Sequence, residues 1–237
     1  MIPRSWPIVA IVGLFAWPAY SQSPRRNLSP PVVTSVFPPG GKVGTTVEWK
    51  FAGRGLAKVR QVLVSGGGVK TSGFEAADDS HAVATAEIDK DATPGFRELR
   101  LEGPDGVSNL MIVRLDTLPQ EVEIEPNDAP GEAQKIAVGT AVAGTIRATD
   151  VDHFRIDGRP GQEITLDLEA RRVGTSITPV LSALNGRGVS IAQARESRSS
   201  DHDCRLAVKI SREGVIIAQV RDNTYAGGES ATYRLRV

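Results

Sequence analysis

The chain has 237 residues, with 28 basic and 28 acidic side chains. This balance gives no support for binding to nucleic acid or to an anionic membrane surface. The single cysteine, Cys204, excludes an intrachain disulfide, so the fold must be held together by its core.

The first 21 residues have the pattern of a secretory signal peptide. Arg4 supplies the positive charge, residues 8–17 form an apolar run, and small residues at Ala19 and Ser21 end it. The alternative is a membrane anchor, but the run is shorter than the about 20 residues that a spanning helix needs. We expect cleavage near residue 21, export to the periplasm or the extracellular space, and a flexible leader over residues 22–30.

Short runs with strand character follow the leader. Val47, Trp49 and Phe51 alternate along one face of the first run, and turn sequences rich in Gly and Pro separate the runs. Runs at this spacing are typical of a β-sandwich. We predict one such sandwich over residues 31–118, with strands in residues 45–51, 59–64, 82–88, 96–101 and 110–115.

A second series of strand-like runs occupies the C-terminal half. Residues 164–168 alternate strictly between apolar and polar side chains, and Asn185-Gly186 is a hairpin-type turn. No stretch has sustained helical periodicity. We therefore predict an all-β chain of two β-sandwiches in tandem, the second over residues 129–237 after an acidic linker at 119–128. Its strands are predicted in residues 140–146, 153–156, 164–168, 180–184, 189–192, 206–210, 215–220 and 233–237.

The acidic stretch at residues 121–128 is the strongest candidate for a functional site. Glu121, Glu123 and Glu125 are spaced by two, so they point to the same side of an extended segment. Asp150 and Asp152 repeat this spacing, and the two groups converge if a strand runs between them. Oxygen ligands of this kind suit Ca²⁺ better than Mg²⁺ or zinc. The alternative interpretation is a solvated acidic linker with an Asx-turn.

The second half carries several short motifs in a fixed order. They are Glu123-x-Glu125-Pro126-Asn127-Asp128, Gly144-Thr145-Ile146, Asp150-Val151-Asp152-His153-Phe154, Gly161-Gln162, Asn185-Gly186 and Tyr233-Arg234-Leu235. With these motifs the second half resembles a known family, the bacterial pre-peptidase C-terminal domain. The resemblance implies a jelly-roll-like sandwich of the kind appended to secreted peptidases and other exported proteins. In clostridial collagenase relatives the equivalent acidic linker binds calcium and the sandwich binds collagen. The calcium ligands that the resemblance implies are Glu123, Glu125, Asn127, Asp128, Asp150 and Asp152.

The sequence departs from this family pattern in two places. The chain has Arg195-Glu196-Ser197 where the family often has an acidic loop, so we expect no ligands from that loop. His153 stands where the family usually has Tyr, and we expect it to fill an aromatic strand position. The first half resembles immunoglobulin-like modules of exported planctomycete-type proteins, which implies a spacer or a binding surface and no particular site residues.

Sequence patterns of known enzymes are missing from the chain. It has three histidines and neither a Gly-x-Ser-x-Gly nor a His-Glu-x-x-His motif, so no nucleophile and base can be paired from the sequence. We expect Cys204 to be a small buried side chain. The predicted function is a non-catalytic exported module that binds an extracellular polymer, a cell-surface component or a partner protein. Calcium is expected to stabilise it at the inter-domain linker, where the ion would order the linker and fix the hinge between the sandwiches. The alternatives are a spacer or sorting domain with no ligand beyond calcium, and a small hydrolase with an unrecognised site.

Overall fold

The computed structural model describes residues 28–175, 177–198 and 201–237. The predicted signal peptide at 1–21 and most of the predicted leader lie outside these residues. The described part of the chain is all-β, as predicted, with short 3-10 turns at Leu56–Lys58 and Arg171–Val173. Among the described residues, no helix has the length and apolar character that crossing a membrane requires.

Two sheets form the first sandwich. Trp49, Phe51, Leu99 and Leu101 are at most 2% exposed and fill the space between the sheets. The strand orders are β1-β3-β6-β5 in one sheet and β2-β9-β7-β4 in the other, where β8 pairs with the edge of β7. The strands are β1 (Val32–Phe37), β2 (Gly40–Lys42), β3 (Thr46–Arg54), β4 (Gln61–Val64), β5 (Val69–Ala76), β6 (His81–Ile88), β7 (Gly95–Gly103), β8 (Gly106–Val107) and β9 (Met111–Asp116).

Two five-stranded sheets form the second sandwich. Phe154, Leu166, Ile216 and Tyr233 are fully buried in a core that contacts both sheets. The strand orders are β10-β12-β19-β14-β17 and β11-β13-β18-β15-β16. The strands are β10 (Gln120–Val122), β11 (Gln134–Ile136), β12 (Ala141–Thr145), β13 (Asp152–Asp157), β14 (Glu163–Glu169), β15 (Pro179–Leu184), β16 (Ser190–Arg195), β17 (Cys204–Lys209), β18 (Val215–Asp222) and β19 (Thr232–Arg236).

The predicted linker differs from the observed chain path. Residues 120–122 of the stretch 119–128 form strand β10, which pairs in parallel with β12. Residues 121–125 alternate between Glu and β-branched side chains, which is compatible with a strand, but the density of acidic residues favours a linker. The acidic stretch therefore starts from within a sheet of the second sandwich.

Buried charges tie the two sandwiches together. The Arg234 guanidinium, on β19, is 1% exposed and lies 3.0 Å from Glu169 Oε2. Asp116, at the end of β9 in the first sandwich, lies 2.9 Å from Arg236 Nε and 3.5 Å from Arg234 Nη2. Arg114 of β9 reaches Glu169 Oε1 at 3.2 Å. Because buried charges are costly unless they are paired, this interdomain ionic cluster favours one relative orientation of the sandwiches. We define the cluster as Arg114, Asp116, Glu169, Arg234 and Arg236.

Candidate metal centre and adjoining cleft

Three carboxylates converge where the acidic stretch meets the second sandwich. Glu123 directly follows β10, and its backbone N–H extends the pairing by donating to Ala143 O at 2.9 Å. Asp152 is the first residue of β13 and is fully buried. One oxygen from each of Glu123, Glu125 and Asp152 lies within 4.8 Å of the others. We call these residues the carboxylate triad, and its spacing could hold a metal ion.

Hydrogen bonds satisfy part of the triad and leave one oxygen without a partner. The Thr145 N–H donates to Glu123 Oε1 at 2.8 Å. The Tyr233 hydroxyl donates to Asp152 Oδ2 at 2.5 Å and lies 3.3 Å from Glu123 Oε2. Asp152 Oδ1 is buried and has no hydrogen-bond partner. An unsatisfied buried polar atom costs about 1–3 kcal/mol, so this oxygen is where a bound cation would stabilise the fold most.

Gly144 on β12 makes room for this arrangement. A Cβ atom at this position would collide with Glu123 Oε2 and with the Tyr233 hydroxyl. The backbone of Gly144 does not have a positive φ, so the requirement is for space and does not concern the backbone conformation. The Gly144-Thr145 pair of the sequence motif thus has a physical role, because Gly144 admits the Glu123 carboxylate and Thr145 holds it.

Burial and crowding change the acidity of the triad. Loss of solvent raises the pKa of Asp152 to about 9, and repulsion from Glu123 adds to the effect. Loss of solvent also raises the pKa of Glu123 to about 7, with repulsion from Glu125 in the same direction and the Thr145 N–H against it. Without a cation, the site therefore holds protons at neutral pH. A divalent cation would replace these protons and remove the repulsion.

The other three predicted ligands lie beside the triad. Asp150 is 8% exposed and accepts a hydrogen bond from the Arg147 N–H at 3.0 Å. Burial raises the pKa of Asp150, and the neighbouring Asp128 carboxylate raises it further. Asp128 itself is exposed. Among the described residues, the structure thus places Asp128 and Asp150 as a second acidic pair next to the triad.

Asn127 positions the acidic stretch. Its N–H donates to Glu125 Oε2 at 2.9 Å, and its backbone oxygen accepts from the His153 N–H at 3.1 Å. The His153 ring is buried on β13, with Nδ1 3.1 Å from Asn127 O and Nε2 3.0 Å from Gln219 Nε2. Burial lowers the pKa of His153. His153 therefore fills a strand position and fixes the turn at Asn127, as the sequence predicted for its place in the strand.

A cleft of about 920 Å³ between the two sandwiches adjoins the triad. Glu123 and Glu125 line one wall, and Lys50 of β3 lines the opposite wall together with residues of β6. His81 Nε2 lies 3.0 Å from Glu229 Oε1 and bridges the sandwiches at the side of the cleft. This cleft could not be predicted from the sequence, because its walls come from residues 35–83 and 122–229, which meet only in the folded structure.

The structure also brings a serine and a histidine together, which the sequence could not predict. Ser80 Oγ lies 2.9 Å from His81 Nδ1, but its hydroxyl has a second acceptor in Asp78 Oδ1 at 2.7 Å. Hydrogen bonds to Asp78 and Glu229 raise the pKa of His81. Both ring nitrogens of His81 thus have carboxylate neighbours, which favours an imidazole that donates to them over one that takes the proton of Ser80. Asp78 Oδ1 also accepts from the backbone N–H groups of Ser80 and His81, so this arrangement is a capped turn.

The structure confirms the predicted burial of Cys204 and places three aromatic side chains of the strand runs in the core. Trp49 and Phe154 are fully buried, and Phe51 is 2% exposed. Cys204 is fully buried, and burial raises the pKa of its thiol to about 12. A thiol with a raised pKa in an apolar site is unreactive.

A search with the sequence finds no matching protein-family model and no matching curated protein. Among solved structures, the chain is similar to the pre-peptidase C-terminal domain of a collagenase from Bacillus anthracis, with 14% identity over 48% of this chain and 98% of that chain and a TM-score of 0.35. It is also similar to SGBP-B of a mixed-linkage glucan utilization locus from Bacteroides ovatus, in complex with a mixed-linkage heptasaccharide, with 8% identity over 89% of this chain and 77% of that chain and a TM-score of 0.31. SGBP-B of a complex xyloglucan utilization locus from Bacteroides uniformis has 9% identity over 87% of this chain and 71% of that chain and a TM-score of 0.31. At these TM-scores, the likenesses say nothing about the metal or the ligand of this chain.

Proposed function

We propose that the chain is an exported, non-catalytic binding module in which a calcium ion orders the acidic stretch against the second sandwich. The observation that carries the metal site is the convergence of Glu123, Glu125 and Asp152, with Asp152 Oδ1 buried and unpartnered. All the converging atoms are carboxylate oxygens, which favours Ca²⁺ over zinc. The site contains no group that needs to react, so the ion has a structural role.

The three neighbouring residues have supporting roles in this proposal. Asp128 and Asp150 add negative charge next to the ion, which attracts a divalent cation. Asn127 holds Glu125 in place through its N–H. In this proposal, three of the six predicted ligands contact the ion directly, and the other three act on those contacts.

The binding function is supported by the cleft and by the rigid connection between the sandwiches. A cavity of about 920 Å³ is within the usual size of ligand sites, which also occur preferentially between domains. The interdomain ionic cluster would keep the cleft walls at a fixed distance. The partner class is an extracellular polymer, a cell-surface component or a partner protein. A spacer or sorting domain is the alternative, and it predicts that the purified chain captures none of them from envelope extracts or immobilised polymers.

Calorimetric titration of Ca²⁺ into the metal-free chain tests the metal site. We expect one binding event, and Glu125→Gln should weaken it by about tenfold or more, because a ligand charge is lost. Glu121→Gln is the matched control, since Glu121 belongs to the same acidic stretch but not to the triad. Equal affinities for the two variants, or no heat of binding to the unmodified chain, would show that the triad does not bind calcium.

A further inference from the structure

The carboxylate triad leaves part of a calcium shell open. Ca²⁺ takes about six to eight oxygen ligands, whereas the triad offers three carboxylates. Two of the three, Glu123 and Glu125, form part of the wall of the interdomain cleft. Ligand positions that these carboxylates do not fill are therefore open to a molecule in the cleft.

Two cationic side chains flank the same space. Arg147 Nη1 lies 3.8 Å from Glu125 Oε1, and its side chain is 70% exposed. Lys50 lines the opposite wall, is exposed, and forms no hydrogen bond or ion pair with any residue that the structure describes. Of the two remaining acidic side chains on the cleft walls, Glu229 is paired with His81 and only Glu75 is unpaired. With an ion in place, the cleft thus presents positive groups on two sides to a ligand with well-separated negative charges.

Most of the remaining cleft wall is apolar. Ala52, Ala76, Ala82 and Val83 line it on neighbouring strands of one sheet of the first sandwich, and the larger side chains of Phe37 and Val122 lie on the same cleft. Phe37 is half-buried and Val122 is exposed, so apolar surface is available to the C–H face of a sugar ring.

We propose that the cleft binds an acidic polysaccharide, and that a carboxylate of the sugar completes the coordination of the calcium ion. Lys50 and Arg147 contact the ligand's negative charges, and the alanine-lined sheet face contacts its rings. This inference rests on the proposed metal site, because the ligand binds to the open side of that ion.

Terbium luminescence in the full chain tests the inference, with Tb³⁺ in place of Ca²⁺. Lifetimes in H₂O and D₂O count the water molecules on the bound ion, and the probes are trigalacturonate, neutral maltotriose and a tri-glutamate peptide. We expect trigalacturonate to displace about one water or more from the ion. Maltotriose and the peptide should displace none at the same concentration. Trigalacturonate should not bind to the metal-free chain.

A pair of lysine variants locates the binding site. Lys50→Ala should weaken trigalacturonate binding by about fivefold, which corresponds to the loss of one partly exposed charge contact. Lys70→Ala is the control, because Lys70 is 75% exposed on strand β5 of the same sheet and does not line the cleft. Both variants should bind Tb³⁺ like the unmodified chain.

The possible failures are distinguishable. If Tb³⁺ binds but its water count does not respond to trigalacturonate, the shared-ion proposal is wrong while the metal site stands. An equal response to the peptide would overturn the assignment to a saccharide, and equal effects of the two lysine variants would overturn the location in the cleft. Absence of Tb³⁺ binding would overturn the proposed function, and the shared ion with it.

Discussion

Removing the metal and raising the pH from 5 to 8 should destabilise the protein. Ionising Glu123, whose pKa rises from 4.5 to about 7 on folding, costs the folded state about 3 kcal/mol. The sign follows from proton binding. Between these two pKa values the folded state holds a proton that the unfolded chain releases, so stability falls as the pH rises. Asp152 acts in the same direction over this range, so about 3 kcal/mol is a lower bound on the loss of folding stability.

Scanning calorimetry of the metal-free chain at several pH values measures this loss. For a chain of this size, about 3 kcal/mol corresponds to a decrease in Tm of at least about 6 °C. Calcium at about 100 times its Kd should return about 3 kcal/mol at pH 8 and much less at pH 5, where protons compete with it. The carboxyls whose pKa is lowered by their partners titrate below this window, so they do not mask the effect: Asp78, Asp116, Asp157 and Asp222.

Two histidines also contribute to the change in stability between pH 5 and pH 8. The variant Asp152→Asn separates their effect from that of the triad. The pKa of His81 is raised by its hydrogen bonds to Asp78 and Glu229, whereas the pKa of His153 is lowered by burial, so their contributions to the pH dependence have opposite signs. Asp152→Asn keeps an oxygen for the Tyr233 hydroxyl but removes a carboxyl that must take up a proton, or bury its charge, when the metal-free chain folds. We expect it to be more stable than the unmodified metal-free chain at pH 8 and to lose the response to calcium. A metal-free chain as stable at pH 8 as at pH 5, with the same pH profile in Asp152→Asn, would refute the electrostatic account of the site.

Three further predictions concern the surroundings of the site. Gly144→Ala should lower the unfolding free energy by about 1–3 kcal/mol and abolish calcium binding. Gly131→Ala should do neither, because the space around Gly131 is open. Denaturant titration with and without calcium measures the stability of each variant and its response to calcium. Arg234→Met should cost about 3 kcal/mol because it removes the most buried cation of the interdomain ionic cluster and leaves Glu169 and Asp116 with the more exposed Arg114 and Arg236 as partners. Arg205→Met, at an ion pair whose arginine is 62% exposed, should cost less than about 1 kcal/mol in the same assay. Hydrolysis of p-nitrophenyl acetate should be the same for the unmodified chain and for Ser80→Ala, and a rate that depends on Ser80 would favour the hydrolase alternative.

Most strands of this fold could be predicted because one face of each is buried. Residues 45–51 and 164–168 alternate in sequence and correspond to β3 and β14. Strand β5 was missed for the opposite reason. It is largely exposed, contains Gly73 at a φ of 61°, and has a register shift against β6 between Ser72 and Glu75, so its side chains carry no period of two.

The candidate site could be predicted only in part. The spacing of Glu123 and Glu125 puts their carboxylates on one side, and a strand between them and Asp152 was the condition for convergence. Strand β12 meets that condition. The sequence could not separate Asp128 and Asp150 from the triad, because that distinction depends on the turn that Asn127 forms with His153.

The positions of the triad residues change the expected role of the metal. Glu123, Glu125 and Asp152, together with the Tyr233 hydroxyl and the space at Gly144, all belong to the acidic stretch and the second sandwich. In the proposed site, calcium would therefore act on the stability of the second sandwich, and the interdomain ionic cluster makes the connection to the first sandwich separately. Loss of the interdomain ionic cluster should lower the stability of both sandwiches together, whereas loss of calcium should affect the stability of the two sandwiches differently. If so, the ion does not set the angle between the sandwiches, and its open side remains the one feature through which it could affect what the cleft binds.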